Sequence, residues 1–594
     1  MAATDWKTRL SEVISAVEAE GARLRAEFYR ADGPRGSRGK CPVDVEIEQA
    51  LRKKLCALVD CAFVGEETGS GTGPVKGMTW LVDPHDGTFE FTSGRRGSAI
   101  SVALLREGKP VLAVVHAPDP PDRGPETIAW SEGAKLQRNG RPLDVDLSQR
   151  KLERGEFVLA TASTAQRPET WARAVAPAHF VALPSIAYRL ARVAAGDAVA
   201  TVSMHGVFEY DVAAGLGLVT AARGIMLDME GREVRLQGTP DTRLSGCFAG
   251  APRAVQQLAK FDWKRLEDEP RREPRLQIAF PRKVLGSRLE RAQGAMLGQV
   301  IGDNLGARVE AKPANEIARL FPNGVRELSD GGVYHLMAGQ PTDDSEMALS
   351  LARTIVHDRK FDSASVLDGY RRWITSRPVD VGLTTERGLI GATDPRSESN
   401  GSLMRCSPIG VWAAGDPALA ARTARDDSGL THPNDICVEA CAAYCAAIAA
   451  GVAGASREEM LAAAAAHSKG PARDAVKRGA AGAKPADFFT HPGWVVVALQ
   501  NAFFCLMKMD FEEALVSTVG QGGDTDTNAA IAGALLGAAL GRDAVPPRWI
   551  YAVLSCRPLA ESGALRPRPT EYWPDDILEL SEALLLAGRG AAVL

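Results

Sequence analysis

The chain changes texture near its middle, and that change constrains the fold more than any single motif. Up to about residue 260, short apolar runs such as TWLVDP, SAISVALL and PVLAVVHAP alternate with turn residues. Such runs predict strands, with helices among them over about 5–30, 43–60, 186–196 and 211–223. Beyond residue 291 strand-like runs almost vanish. Ala-rich periodic segments predict helices over 288–306, 344–357, 363–375, 434–451, 457–467, 493–507, 511–518 and 527–540. The stretch 260–291 between them is the most densely charged and holds three prolines, as a linker or surface crossing would. A chain of 594 residues is too long for one core. The expected organisation is an α/β domain over 1–260, a linker over 261–285 and an all-α domain over 286–594.

Composition narrows the function classes. Apolar content of 45% and charged content of 24% are those of a globular protein. A net charge of -4 gives no general attraction to nucleic acid or anionic membrane, so neither is expected as a partner. The N-terminal MAATDWKTRLSEVISAVEAE is an amphipathic helix rather than a signal peptide. The run nearest to a membrane span, 438–455, is interrupted by Glu439 and suits a packed internal helix. Ten scattered cysteines form no CxxC pair, which fits a reducing, cytoplasmic setting. Cys437, Cys441 and Cys445 fall at i, i+4, i+8 and read as small buried residues on one helix face. Gly294, Gly298, Gly302 and Gly306 recur every four residues, as do Gly533, Gly537 and Gly541, which predicts smooth helix faces for close packing.

Each half carries its own acidic constellation. In the first, TWLVDPHDGTFEF sets Asp83 and Asp86 in a turn fixed by Pro84 and opened by Gly87, with GEE at 65–67 and Asp211 in YDVAAG. Such a turn can aim two carboxylates and a backbone carbonyl at one point, and hard cations such as Mg²⁺ prefer oxygen ligands. Gly87 and Thr88 then offer donors to a phosphate. The plainer alternative is a polar turn with Asp83 and Asp86 as caps, and Asp211 as a helix cap. In the second, GDNLGARVE at 302–310 supplies Asp303 and Glu310. PTDD at 341–344 supplies Thr342, Asp343 and Asp344, and GGDTDT at 522–527 supplies Asp524, Asp526 and Thr527. Helix capping explains any one of these acids, but it needs only one acceptor, and each segment offers several oxygens.

The first set, over roughly 5–250, resembles the inositol monophosphatase family, which includes fructose bisphosphatases and 3'-phosphoadenosine-5'-phosphate phosphatases. GEE, DPHDGT and YDVAAG match its motifs, and GKCPVDVEIEQALRKKL its upstream region. The resemblance implies a layered α-β-α-β-α fold and a Mg²⁺-dependent phosphomonoesterase. Glu66, Asp83, Asp86, Asp211 and the His85 carbonyl would hold the metals. Asp44 and Thr88 would activate water, with Glu66 also counted as catalytic, and Gly87 and Thr88 would meet substrate. His85 stands in a slot that is more often aliphatic, and only its carbonyl is expected to act. Tyr210 replaces a common tryptophan. Met204 stands where inositol phosphatases often carry an acid, which argues against inositol phosphate itself.

The second set, with NGSLMRCSPIG at 400–410 and LTHPNDICVEA at 430–440, resembles the ADP-ribosylglycohydrolase family over about 286–560. That implies an all-α bundle with a two-metal Mg²⁺ or Mn²⁺ centre held by Thr342, Asp343, Asp344, Asp524, Asp526 and Thr527. Glu310 would act as gate or acid/base, and Asn400, Gly401, Ser402 and His432 would line an ADP-ribose pocket. The expectation is a bifunctional hydrolase acting on a phosphorylated small molecule or nucleotide, and on an ADP-ribosylated protein or ADP-ribosyl small molecule. One phosphorylated ADP-ribose-type compound could serve both sites. The alternative is that one half only binds ligand and the other alone is an enzyme.

Overall fold

The computed structural model describes residues 6–37, 39–71, 75–276 and 285–588. The chain divides into two compact units, Met1–Val284 and Leu285–Leu594.

The N-terminal unit is layered α-β-α-β-α. Its larger sheet has eight strands, and its centre runs Cys61–Gly65, Val75–Asp86, Ala99–Arg106, Lys109–Ala117 and Glu126–Ser131. The first two of these pair in parallel and the rest antiparallel. Helices Trp6–Phe28 and Pro42–Leu58 cover one face, and Ile186–Ala194 and Glu209–Ala221 the other. Helices on both faces explain why SAISVALL and PVLAVVHA are continuous apolar runs rather than alternating ones. A five-stranded sheet, ordered by residues 179–182, 157–160, 200–203, 247–250 and 225–228, packs beyond the second helix pair. Helices Pro168–Val175 and Pro252–Ala259 close that side.

The charged stretch expected to be a linker is folded at its start. Trp263 is buried, its ring 4.8 Å from that of Trp171. The Glu269 carboxylate accepts from the Glu169 and Thr170 backbone N–H groups and so caps helix Pro168–Val175. An aromatic anchor and a capping acid hold this segment to the first unit in spite of its overall charge. Residues 277–284 of the expected linker lie outside the described residues.

The C-terminal unit is built of helices. Its centre is an antiparallel pair, Ser287–Ala307 and Thr525–Leu540, in which glycines of each helix face the backbone of the other. A Cβ added at Gly294, Gly298, Gly302 or Gly306 would lie 2.1–2.5 Å from a carbonyl oxygen at 537, 533, 529 or 525 respectively. The two glycine stripes of the sequence are thus each other's partners. Gly541 departs from the expected stripe: it ends its helix with φ 82. The Ala-rich helix Asp435–Val452 is long and apolar enough to cross a membrane by length and composition, and it is mostly buried inside this unit. Cys437, Cys441 and Cys445 are buried on it, as expected.

Two candidate metal centres

In the N-terminal unit the site forms where strand Val75–Asp86 ends. Its pairing with Ala99–Arg106 breaks register between Asp83 and Asp86, and Gly87 follows with φ 100, which an L side chain rarely adopts. The turn sends both aspartates to one side. Asp83 Oδ1 accepts from the His85 N–H at 2.8 Å, which tightens the turn. Asp86 Oδ2 accepts from Ser185 Oγ at 2.5 Å and from the Ala187 N–H at 2.6 Å, at the start of helix Ile186–Ala194. Asp211 Oδ2 accepts from the Phe208 N–H at 2.8 Å, so it does close a helix start. That bond leaves its other oxygen for the cluster. Burial, then the charges of Glu66, Asp86 and Asp211, pushes the Asp83 carboxyl well above the ordinary range. Burial and neighbouring carboxylates do the same to Asp211.

Glu66 joins this group on a loop held by Glu48, a residue sequence reasoning passed over. The buried Glu48 carboxylate accepts from the Glu67 and Thr68 N–H groups, each at 2.8 Å, and from the Thr68 hydroxyl. A Cβ at Gly65 would meet that carboxylate at 2.3 Å, which is why glycine precedes the two glutamates. Thr88 Oγ1 donates to the His85 carbonyl at 2.7 Å. Asp44, on helix Pro42–Leu58, is buried with Oδ1 2.6 Å from His85 Nδ1. The expectation that only the His85 carbonyl matters omitted this contact. Tyr210 stacks on Phe208 at 5.2 Å, and burial, then the charges of Glu66, Asp211 and Asp83, raises its phenol well above the ordinary range.

In the C-terminal unit the carboxylates hang from helix starts. Asp303 sits inside helix Ser287–Ala307 and accepts from the Thr342 and Ser345 N–H groups, each at 3.1 Å. It therefore caps helix Asp343–Asp358. The Thr342 hydroxyl lies 2.9 Å from Asp303 Oδ1 and 3.0 Å from Asp344 Oδ2, and its one proton serves either. Asp344 Oδ1 is buried and meets no hydrogen-bonding partner among the described residues. Glu310 Oε2 accepts from the Thr525 N–H at 2.8 Å, which ties the first motif to the third. Carboxylate oxygens of Glu310, Asp524 and Asp526 lie within 4.8 Å of one another. Asp526 Oδ1 accepts from the Thr527 N–H at 2.9 Å, and Asn400 Nδ2 donates to Asp524 Oδ2 at 2.6 Å.

Electrostatics sets this cluster apart from ordinary capping acids. Burial followed by the Asp524 charge pushes Glu310 up to about 7, and burial takes Asp303 to about 6. Asp343, Asp344 and Asp526 are raised well above the usual carboxylate range by burial, then by neighbouring acids, foremost Asp380, Asp303 and Glu310 respectively. Crowded, desolvated carboxylates with few basic partners are a donor set for hard divalent cations, and both units meet that description.

Other predicted residues fall at different depths. Gly401 lies over His432: a Cβ there would be 2.9 Å from His432 Nε2. His432 is fully buried, its Nδ1 2.7 Å from Thr431 Oγ1, and burial pushes it down to about 3. Ser402 is likewise fully buried, accepting from Ser428 Oγ at 2.9 Å. The Ser402 and His432 side chains, expected to line an ADP-ribose pocket, are both buried, and His432 Nε2, beneath Gly401, meets no hydrogen-bonding partner among the described residues. Sequence reasoning also missed Asp380, whose charge acts on Asp343 and which accepts from the Tyr334 hydroxyl at 2.9 Å. Gly382, two residues on, donates to Asp343 Oδ2 at 3.3 Å. A cavity of about 420 Å³ follows, lined by Leu383, Thr384, Arg387, Asp394, Arg396 and Ser397.

Comparison with known proteins gives two family matches in chain order. Residues 30–261 match the model of the inositol monophosphatase family, and residues 285–590 that of ADP-ribosylglycohydrolase. An ADP-ribosyl-[dinitrogen reductase] glycohydrolase of Rhodospirillum rubrum is 34% identical over 282 residues, covering 44% of this chain and 89% of the relative. An ADP-ribosylarginine hydrolase of Pseudomonas putida is 31% identical over 283 residues, 45% of this chain and 74% of the relative. A fructose-1,6-bisphosphatase/inositol-1-monophosphatase of Thermotoga maritima is 29% identical over 231 residues, 38% of this chain and 86% of the relative.

Proposed function

Because the chain belongs to the ADP-ribosylglycohydrolase family and carries an inositol monophosphatase-family domain ahead of it, two hydrolase-family domains in one polypeptide, we propose that it is a bifunctional, metal-dependent hydrolase. One observation carries the reading: each unit holds its own convergent set of buried carboxylates.

In the N-terminal unit Glu66, Asp83, Asp86, Asp211 and the His85 carbonyl would hold Mg²⁺. When bound, that ion supplies charge neutralisation for the phosphate and acidifies a water. The protein's own part is orientation. Thr88 gives its proton to the His85 carbonyl, so its oxygen is left to accept from a water. Asp44 offers a second acceptor, and the N–H groups after Gly87 would donate to the phosphate oxygens. The substrate class is a phosphorylated small molecule or nucleotide.

In the C-terminal unit Thr342, Asp343, Asp344, Asp524, Asp526 and Thr527 would hold Mg²⁺ or Mn²⁺, which when bound orients ribose hydroxyls and water. Glu310, fixed by Thr525, stands beside Asp524 and Asp526 as the acid/base or gate. Asn400, which donates to Asp524, borders the same carboxylates. Cleavage at the anomeric carbon develops positive charge, which this acidic wall stabilises. The substrate is an ADP-ribosylated protein or ADP-ribosyl small molecule, and the setting is cytoplasmic.

The test is to make Asp211→Asn and Asp343→Asn separately in the full chain. Phosphate release from a phosphorylated nucleotide panel and ADP-ribose release from ADP-ribosyl-arginine and -serine peptides are then measured with Mg²⁺ and Mn²⁺. Each substitution is expected to abolish one activity and spare the other. Loss of both activities from either substitution would refute two independent sites.

A further inference from the structure

The His85 side chain has no part in the roles above. Strand Val75–Asp86 carries it inward, where the ring is fully buried. Nδ1 lies 2.6 Å from Asp44 Oδ1, and the two side chains are 0% and 2% exposed. Phe91 meets the ring edge-on, with centroids 4.4 Å apart and planes at 86°. The backbone of His85 is held as well: its N–H donates to Asp83 and its carbonyl accepts from Thr88. Nε2 is buried and meets no partner among the described residues. The ring therefore has one polar engagement, and it is with Asp44.

That engagement settles where Asp44 points. An aspartate in the first turn of a helix has two free side-chain torsions, and a terminal carboxyl rotates broadly. With Oδ1 tied to a ring that cannot move, the plane of the carboxyl is fixed, and no hydrogen bond among the described residues engages Oδ2. Asp44 and Thr88 are linked through this one residue, the first by its ring and the second by its carbonyl.

We infer that His85 is a positioning residue for phosphate hydrolysis: its Nδ1 holds Asp44 by one oxygen so that the other addresses the attacking water. The inference rests on the phosphatase reading of the N-terminal unit. It adds a side chain in a slot where an aliphatic residue would leave Asp44 unguided. A hydrogen bond to a carboxylate that aligns a reacting group is worth about 10- to 100-fold in rate.

The experiment uses the full chain as wild type and as His85→Leu, His85→Asn, His85→Gln and Asp211→Asn. Mg²⁺-dependent phosphate release is followed from inositol 1-phosphate, fructose 1,6-bisphosphate, 3'-phosphoadenosine 5'-phosphate and para-nitrophenyl phosphate. Thermal unfolding is recorded with and without Mg²⁺. His85→Leu is expected to lower kcat about 10- to 100-fold, with KM and the Mg²⁺ dependence unchanged. His85→Asn, whose amide nitrogen falls near the Nδ1 position, recovers most of that loss, whereas His85→Gln, which reaches toward Nε2, does not. The part of the Mg²⁺-induced rise in Tm that Asp211→Asn removes persists in all three. A wild-type kcat in His85→Leu would overturn the inference, and so would equal rates for Asn and Gln. Loss of that part of the Mg²⁺ effect on Tm in the His85 variants would also overturn it, by making the ring part of cation binding. Should His85→Leu fail to fold, the Asn–Gln comparison decides. If the wild type releases no phosphate from any compound, the phosphatase reading falls; if only the His85 variants behave as wild type, the inference falls alone.

Discussion

Replacing Gly298 by alanine tests whether backbone contact between helices Ser287–Ala307 and Thr525–Leu540 holds the C-terminal unit together. The new Cβ would lie 2.1 Å from the Gly533 carbonyl oxygen and 2.5 Å from its carbon. Both atoms are backbone, so no rotamer change relieves the clash, and the helices must part by about 1 Å to restore normal contact. Overpacking of this kind costs about 1–3 kcal/mol, with a backbone clash at the upper end. The better helix propensity of alanine offsets about 1 kcal/mol. The net is a destabilisation of about 2 kcal/mol, or roughly 4 °C in the transition of a unit this size. Differential scanning calorimetry of the full chain reads it. Gly429→Ala is the control, because nothing lies within 4 Å of its Cβ position and its φ is not positive. It should leave Tm unchanged or slightly higher. Function should suffer beyond stability, because Asp303 lies between Gly302 and Gly306 on one helix and Asp526 lies on the other. ADP-ribose release should drop at least tenfold at a temperature where the variant is folded. A Gly298→Ala chain that melts with the control and keeps full activity would refute the argument.

Two further outcomes follow from buried charge. Arg405 and Asp427 are both fully buried and paired at 3.1 Å, with the Tyr370 hydroxyl also donating to Asp427, so Asp427→Ala should destabilise by about 3–5 kcal/mol in urea unfolding; a cost under about 1 kcal/mol would contradict it. Without metal, Glu310 at about 7 and Asp303 at about 6 bind protons more tightly folded than unfolded. Their contribution is present at low pH and lost as pH rises through 6–7, so chelated protein should gain Tm between pH 8 and pH 6, and Mg²⁺ should raise Tm more at pH 8 than at pH 6; an equal Mg²⁺ effect at both would contradict it.

Much of both sites was legible because their residues sit on local signals. DPHDGT carries its own turn chemistry, and PTDD and GGDTDT announce helix starts, so these acids could be named from short windows. The helix boundaries of the C-terminal unit followed from Ala-rich periodicity, although segments such as Pro417–Gly429 and Ile577–Ala587 were passed over, being less regular in pattern. What stayed hidden depends on contacts across long sequence distances. Asp380 is one acid in an unremarkable PVDVG, and only folding brings its charge to bear on Asp343. Glu48 sits in a charged helical segment with no motif of its own, yet it holds a loop some twenty residues on. Ser402 and His432 lie in suggestive motifs but point inward, and a motif carries no direction for its side chains. Trp263 tied a charged stretch to a core that its neighbours gave no reason to expect.

The hydrogen bonds around Asp83, Asp86 and Asp211 also bear on which cations the N-terminal site can distinguish. Each of these carboxylates has one oxygen already committed: Asp83 to the His85 N–H, Asp86 to Ser185 and Ala187, and Asp211 to the Phe208 N–H. Each therefore presents its other oxygen as the readier ligand. Calcium is well served by carboxylates that wrap it with both oxygens in a loose shell of six to eight, whereas magnesium takes six ligands one at a time in near-octahedral array. Kept on cation entry, these bonds would disfavour two-oxygen coordination and so favour the smaller ion. Calorimetric titration should find Mg²⁺ bound in preference to Ca²⁺, and the reverse order would show that these bonds yield when a cation enters.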